Sequence, residues 1–189
     1  MNTVEINNVF SQLDPPLWLV TSAHGGQRGG FIATTVTRAS IVAEMPRQLI
    51  TINKRHHTHA LIEASGAFGM HLIDETQIEL VWRFGLQSGR DIDKLADLSF
   101  HTAETGSPLL SEAMAWFDCR VEARMDSGDR SIYLAAVVDG RLQRTDVPLT
   151  ARRFFQIAPP NKQKILDEQY DHDSRLDALA IQEWRERPM

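Results

Sequence analysis

The glycine-rich segment His24-Gly25-Gly26-Gln27-Arg28-Gly29-Gly30 runs directly into Phe31-Ile32-Ala33-Thr34-Thr35-Val36-Thr37. The second run is β-branched and alternating, so it is predicted to be a strand rather than a helix. That order excludes the usual nucleotide loops. The glycines lack the Lys-Ser/Thr ending of a P-loop and the spacing of the dinucleotide fingerprint, and no helix N-terminus follows to receive an anion. They serve instead as positive-φ positions in a hairpin turn after the strand Leu17-Trp18-Leu19-Val20-Thr21. A third strand, Leu49-Ile50-Thr51-Ile52-Asn53, follows Met45-Pro46 and ends on Lys54-Arg55-His56-His57-Thr58. Hydroxyls thus cluster on one strand and cations at the end of a later one. Short donors plus positive charge from a different segment are what a phosphate requires.

The rest of the chain is read around these strands. Ile6, Val9, Phe10 and Leu13 lie at helical spacing over residues 3–13, with Asn2 or Thr3 as cap, and Asp14-Pro15-Pro16 ends that helix. A short helix is predicted from His57 to Ala64, stopped by Ser65-Gly66, followed by a strand over 67–73. Asp74 opens a helix carrying Ile78, Val81, Trp82 and Phe84 that breaks at Gly85. Ser88-Gly89-Arg90-Asp91 has the capping-box arrangement and predicts a further helix with Ile92, Leu95 and Ala96 as its apolar stripe. Gly106-Ser107-Pro108 is a turn. Two long extended runs follow, joined by Asp126–Arg130. In the first, Phe117, Cys119, Val121, Ala123 and Met125 share one face, and Asp118, Arg120, Glu122 and Arg124 the other. In the second, Ser131 to Val138 is apolar on both faces, as in an interior strand or one at a subunit interface. Residues 161–187 form a charged helix with Ile165, Leu176, Leu179 and Trp184 on its drier side. No regular βαβ alternation is present, so antiparallel closure into a small barrel is favoured over a doubly wound sheet.

Bulk properties bound the answer. At 189 residues, the chain is expected to be a single domain that buries roughly 70% of its unfolded surface without a disulfide or metal. The single cysteine, Cys119, forms no internal disulfide and suits a reducing cytoplasm. The formal net charge of −5 argues against general nucleic-acid affinity. The N-terminus carries no secretory signal pattern, and no apolar stretch approaches transmembrane length.

Each candidate site has a plainer alternative. Thr34, Thr35, Thr37 and Ser40 are good strand residues in their own right, and Lys54 and Arg55 also read as solvated charges. His56, His57 and His59 lack a carboxylate or cysteine at ligand spacing, which argues against zinc. Cys119, on an apolar strand face, is a structural thiol rather than a nucleophile. Trp82 and Phe84 are core anchors, or one of them borders an aromatic cofactor. Gly128-Asp129-Arg130 is a hairpin turn.

In this order and spacing, Leu17–Thr21, Gly30–Thr37, Ser40 and Asn53–Thr58 resemble the flavin reductase-like, FMN-binding split-barrel family. The likeness continues through Ser65-Gly66-Ala67-Phe68, Phe84-Gly85, Asp93-Lys94, Gly106–Leu110, Trp116–Val121 and Gly128-Asp129-Arg130. It covers roughly Pro15 to Asp146. The resemblance implies a mainly β, Greek-key split barrel with inserted helices, here followed by a C-terminal helical extension over 159–189. It further implies a homodimer that binds FMN non-covalently near the subunit interface. Ala33, Thr34, Thr35 and Val36 resemble the segment along the flavin and its phosphate. Ser40 resembles a ring-side or ribityl contact, and Asn53, Lys54, Arg55 and Thr58 the phosphate-binding turn. Two positions depart from the family: Arg130 stands where many pyridine-nucleotide-using members have histidine after Gly-Asp, and Leu95 replaces an aromatic residue after Asp-Lys.

The activity so implied is that of a cytoplasmic FMN-binding oxidoreductase, an NAD(P)H-dependent flavin reductase passing hydride through FMN to a free flavin or a partner protein. Hydride transfer calls for positioning rather than acid–base catalysis, so no catalytic side chain is expected. Arg130 suits a nucleotide phosphate, because guanidinium pairs with phosphate bidentately and is always charged. Two other readings stay open: a flavoredoxin-like electron carrier that holds FMN without using NAD(P)H, and a non-enzymatic split-barrel module for another planar ligand.

Overall fold

A computed structural model describes residues 2–187. Its centre is a seven-stranded antiparallel sheet built from β1 (Trp18–His24), β2 (Gln27–Ala33), β3 (Val36–Arg38), β4 (Arg47–Asn53), β5 (Ala67–Leu72), β8 (Ala115–Asp126) and β9 (Arg130–Leu142). The strand order is β2-β1-β5-β8-β9-β4-β3. A two-stranded ribbon, β6 (Phe100–His101) with β7 (Leu109–Leu110), lies beside it. The helices are α1 (Thr3–Phe10), α2 (His57–Ser65), α3 (Ile78–Leu86), α4 (Ala151–Ile157) and α5 (Pro160–Arg185).

The glycine turn forms as the sequence dictates. His24 pairs with Gln27, and Gly25 and Gly26 take φ of 58° and 80°, the two positive values a tight two-residue hairpin requires. Beyond it, the run Phe31–Thr37, expected as one strand, is split. It breaks at Thr34-Thr35 into β2 and β3, which are opposite edges of the seven-stranded sheet. The sheet therefore curls until its edges meet, giving the expected split barrel. Val20, Phe31, Ile50, Ile52, Phe68, Met70, Cys119 and Tyr133 fill its interior. Alternate residues on the outer face, among them Leu17, Leu19 and Ile73, pack against Val81, Trp82 and Phe84 of α3 and Phe154 of α4. Trp82 and Phe84 are core anchors, Trp82 lying 4.7 Å from the Phe154 ring. Cys119 is buried and its thiol is pushed well above the ordinary range by desolvation.

His71 joins the ribbon to the barrel. Fully buried on β5, it donates from Nδ1 to Leu19 O at 2.9 Å and accepts at Nε2 from Leu110 N at 3.0 Å. The two bonds fix one neutral tautomer, and burial lowers its pKa to about 4.

Four expectations are corrected. First, α3 does not break at Gly85 but continues to Leu86. Second, the helix expected after Ser88 is a series of turns. Tertiary bonds override the local signal there: Asp93 accepts from Arg28 at 2.7 Å, and Lys94 is drawn inward to donate to Gly30 O at 3.1 Å and Phe84 O at 2.9 Å. Third, the strict alternation along β8 fails, because register shifts at Asp118/Cys119 and Val121/Ala123 insert bulges. Asp118 and Cys119 are consequently both buried, and the Asp118 carboxylate accepts from Thr105 N at 2.8 Å. Fourth, the four apolar residues assigned to the drier side of α5 are exposed, and its one buried side chain is Asp177, 8% exposed. The expected extension over 159–189 is thus helical through Arg185, and its last two residues lie outside those described.

Lys94 is the buried cation of this arrangement, 4% exposed and bonded to peptide carbonyls. Burial lowers its pKa to about 8. Between that value and the ordinary lysine range near 10.5, the unfolded chain holds the proton that the folded chain has lost, so stability rises with pH. The unfolding free energy of the wild type, relative to Lys94→Met, is expected to grow by up to about 1.4 kcal/mol per pH unit between pH 8 and 10. Urea denaturation across that window checks this; a flat difference would contradict it.

Candidate functional site

Strand β4 delivers Asn53 to a turn that reverses the chain into α2. Asn53 Oδ1 accepts from Arg55 N at 2.9 Å, and Asn53 O accepts from His56 N at 3.1 Å, so the side chain and backbone of one residue shape the corner. His56 precedes α2 in an extended conformation, and no side chain caps the helix. His59 N donates to His56 O at 3.0 Å, which leaves the His57 and Thr58 amides of the first turn for an anion. Thr58 is buried in that first turn, and Gly29 of β2 comes close enough that a Cβ there would lie 3.2 Å from Thr58 Oγ1.

Beside this corner lies a cavity of about 300 Å³, lined among others by Arg55, His56, Thr58, Phe84, Arg90 and Lys94. Its one carboxylate is Asp173, reaching over from α5. Lys94 is hydrogen-bonded to peptide carbonyls rather than paired with an acid, so the lining, with Arg55, Arg90 and Lys94 against Asp173, carries an excess of positive charge. His56 adds a hydrogen-bonding group rather than a charge. Its ring stacks at a tilt on Phe31, 5.0 Å between centroids, and its pKa is lowered to about 4 by burial and then by Lys94 and Arg130. Its Nδ1 is buried without a hydrogen-bond partner. An orphaned ring nitrogen, an uncapped helix start and a lysine with no acid partner together fit a phosphate-bearing group.

A second groove, of about 430 Å³, shares His56 and Asp173 with the first and is lined by Asn53, Arg130, Tyr170 and Asp177. Here α5 supplies two of the acids, and Asp129 a third. Arg55 Nη1 donates to Asp177 Oδ1 at 2.6 Å and Nη2 to Asp173 Oδ1 at 2.9 Å. Asn53 Nδ2 donates to Asp177 Oδ1 at 3.0 Å, and Arg130 Nη2 to Asp177 Oδ2 at 3.1 Å. Arg130 also pairs with Asp129 at 3.0 Å.

The residues anticipated from sequence fall into three sets. Asn53, Arg55 and Thr58 meet at the corner, with Arg130 across the groove. Ala33, Thr34, Thr35 and Val36 form the barrel seam beside β4, where Thr51 N donates to Thr35 O at 3.2 Å; Thr34 and Thr35 are exposed, and Ala33 is buried in the barrel. Ser40 and Lys54 point elsewhere. Ser40 Oγ accepts from Val42 N at 3.1 Å in a separate groove with Arg38 and Ile41, and Lys54 pairs with Asp126 at the end of β8. The three histidines diverge as adjacent residues do: His59 Nε2 lies 2.9 Å from Ser131 Oγ, while His56 and His57 line the cavity. Among the described residues no three metal-ligating side chains cluster. His56, Arg90, Lys94, Asp173 and Asp177 belong to the site but were not singled out for it. The one local signal for the aspartates is their four-residue spacing, which puts both on one helix face.

Comparison with known proteins agrees with this architecture. A family model described as "Flavin reductase like domain" matches residues 10–158. A ferric-chelate reductase (NAD(P)H) of Archaeoglobus fulgidus is 30% identical over 144 residues, 75% of this chain and 83% of that protein. An FMN reductase (NADH) of Agrobacterium fabrum is 26% identical over 147 residues, 78% of this chain and 83% of its own. The high molecular weight rubredoxin of Moorella thermoacetica is 29% identical over 143 residues, which are 75% of this chain but 62% of that longer protein. Among solved structures, nitrilotriacetate monooxygenase component B of Mycobacterium thermoresistibile superposes with a TM-score of 0.68 at 25% identity, covering 79% of this chain and 84% of that one. With the family match spanning residues 10–158 and a curled antiparallel barrel beneath it, the chain belongs to the flavin reductase-like family.

Proposed function

We propose that this protein is an FMN-dependent flavin reductase that accepts hydride from NAD(P)H and passes it to a free flavin or a partner protein. The observation that carries the reading is the corner at Asn53–Thr58. There Arg55, the uncapped start of α2 and the His56 ring, its Nδ1 buried and unpartnered, border a positively charged cavity one strand from the Thr34-Thr35 seam. The names of the relatives, an FMN reductase (NADH) and a ferric-chelate reductase (NAD(P)H), point to the same chemistry. FMN, when bound, supplies the redox chemistry. The chain's share is to hold its phosphate through Arg55, Thr58 and the α2 amides, and to lay the ring along Ala33–Val36. Ser40 and Lys54 keep only their sequence resemblance in support. Arg130 borders the adjoining groove and is assigned to a phosphate of the nicotinamide nucleotide.

We also place the working protein in the cytoplasm as a homodimer. The second subunit would cover the half-buried outward residues of β9, Ile132 and Leu134, and the exposed Met125 paired with Ile132. Among the described residues no helix is long and apolar enough to cross a membrane.

Three outcomes are expected. Arg55→Ala should weaken FMN by about tenfold or more while leaving riboflavin, which lacks the phosphate, nearly unchanged, as read by flavin fluorescence titration. Equal losses for the two ligands would remove the phosphate assignment. Arg130→Ala, still loaded with FMN, should raise the KM for NAD(P)H by about tenfold in anaerobic stopped-flow reduction, the loss of one charged hydrogen bond. No reduction of bound FMN by either nucleotide in the wild type would instead select the electron-carrier reading. Sedimentation velocity at micromolar concentration should show twice the chain mass; an FMN-loaded monomer would refute the dimer.

A further inference from the structure

Helix α5 lies outside the matched family region of residues 10–158, yet it reaches the site. Its attachment is of two kinds. The first turns are anchored by packing: Leu166 sits against the outer core, Lys162 Nζ lies 5.6 Å from the centre of the Trp82 ring, and Gln163 donates to Phe155 O and Ala158 O. The later turns are held largely by charge. Asp173 and Asp177 take both guanidinium arms of Arg55, and Asp177 also takes Arg130 and the Asn53 amide. Beyond them the helix backbone rests on the 126–130 hairpin, so closely that a Cβ on Gly128 would come within 2.9 Å of Ala180 O. Apart from Asp177, no side chain of these turns is buried.

Two carboxylates on one helix face therefore occupy the donors assigned above to phosphates. We propose that α5 is an autoinhibitory latch: Asp173 and Asp177 act as an internal substitute for the ligand phosphate, and FMN binds fully only when the outer turns of α5 release Arg55. This rests on the assignment of Arg55 to the FMN phosphate. The exchange is like for like, because a phosphate offers guanidinium three acceptor oxygens and up to two charges, and the two aspartates together offer four oxygens and two charges. The Arg55–Asp173 pair, 37% and 38% exposed, holds weakly, whereas Asp177, with a side chain 11% exposed, is the firmer contact that release must replace. The pivot is the anchored start of α5 at Pro159-Pro160.

The latch predicts a sign. Asp173→Asn/Asp177→Asn, made in the full chain, should bind FMN about tenfold more tightly than the wild type, because apparent affinity scales with the fraction of open molecules. Riboflavin affinity should not change. If the aspartates merely position Arg55, the same variant will bind FMN more weakly, and that result overturns the proposal, as does an unchanged Kd. If FMN binds neither chain, the functional reading fails and the latch with it, an outcome distinct from equal binding. Hydrogen–deuterium exchange on the unaltered protein gives a second measurement, independent of whether the variant folds. Saturating FMN should speed exchange across 168–185 and leave 160–166 protected. Unchanged or slower exchange in the outer turns overturns the latch.

Discussion

Closure of the sheet across two residues is the constraint on which the rest of the structure depends. Ala33 ends one edge of a seven-stranded sheet and Val36 begins the other, with Thr34 and Thr35 alone between them. Three steps of about 3.8 Å between successive Cα atoms reach roughly 11 Å at most. The edges must therefore meet, and a sheet bent that far acquires an inside wide enough only for side chains. Interior and exterior then need separate apolar sets, which is why Val20 faces one cluster while its neighbour Leu19 faces another. The ladder itself places β3 beside β4, and closure brings the end of β2 up to them, which sets the seam next to the Asn53 corner.

Much of this was legible because period-2 alternation and turn chemistry are local signals. The hairpin at Gly25-Gly26, the strand ending at Asn53 and the stop at Gly66 all follow from residues within a few positions of one another. The break at Thr34-Thr35 was not legible, since both strands it joins alternate in the same way and only the closed sheet tells them apart. Nor was the loss of the helix after Ser88. Its cap and stripe are sound locally, but the carbonyls of Gly30 and Phe84 and the guanidinium of Arg28 claim Lys94 and Asp93. The β8 bulges hide for a related reason: Asp118 looks like one of a series of outward charges until Thr105, thirteen residues earlier, turns in to meet it.

The site divides along the same line. Asn53, Arg55 and Thr58 could be placed because a polar corner after an apolar strand is visible in one dimension. Arg90 and Lys94 were hidden within a segment that reads as helix. The inward face of α5 was misassigned because hydrophobicity was taken to choose it, whereas charge chooses it. A helix with few apolar residues orients by its ion pairs, and here Arg55 and Arg130 outweigh Leu176 and Leu179.

The carbonyl-held Lys94 has a consequence for how anions reach this protein. The whole chain carries a formal charge of −5, but the cavity beneath Arg90 is locally positive because one of its cations has no acid to offset it. At physiological ionic strength fields fade over about 8 Å, so an incoming anion does not feel the two fields together. Dilute buffer lengthens the reach of the repelling surface, and concentrated buffer weakens the attracting mouth. The mouth attracts an approaching anion while the rest of the surface repels it, so salt acts on the two in opposite senses.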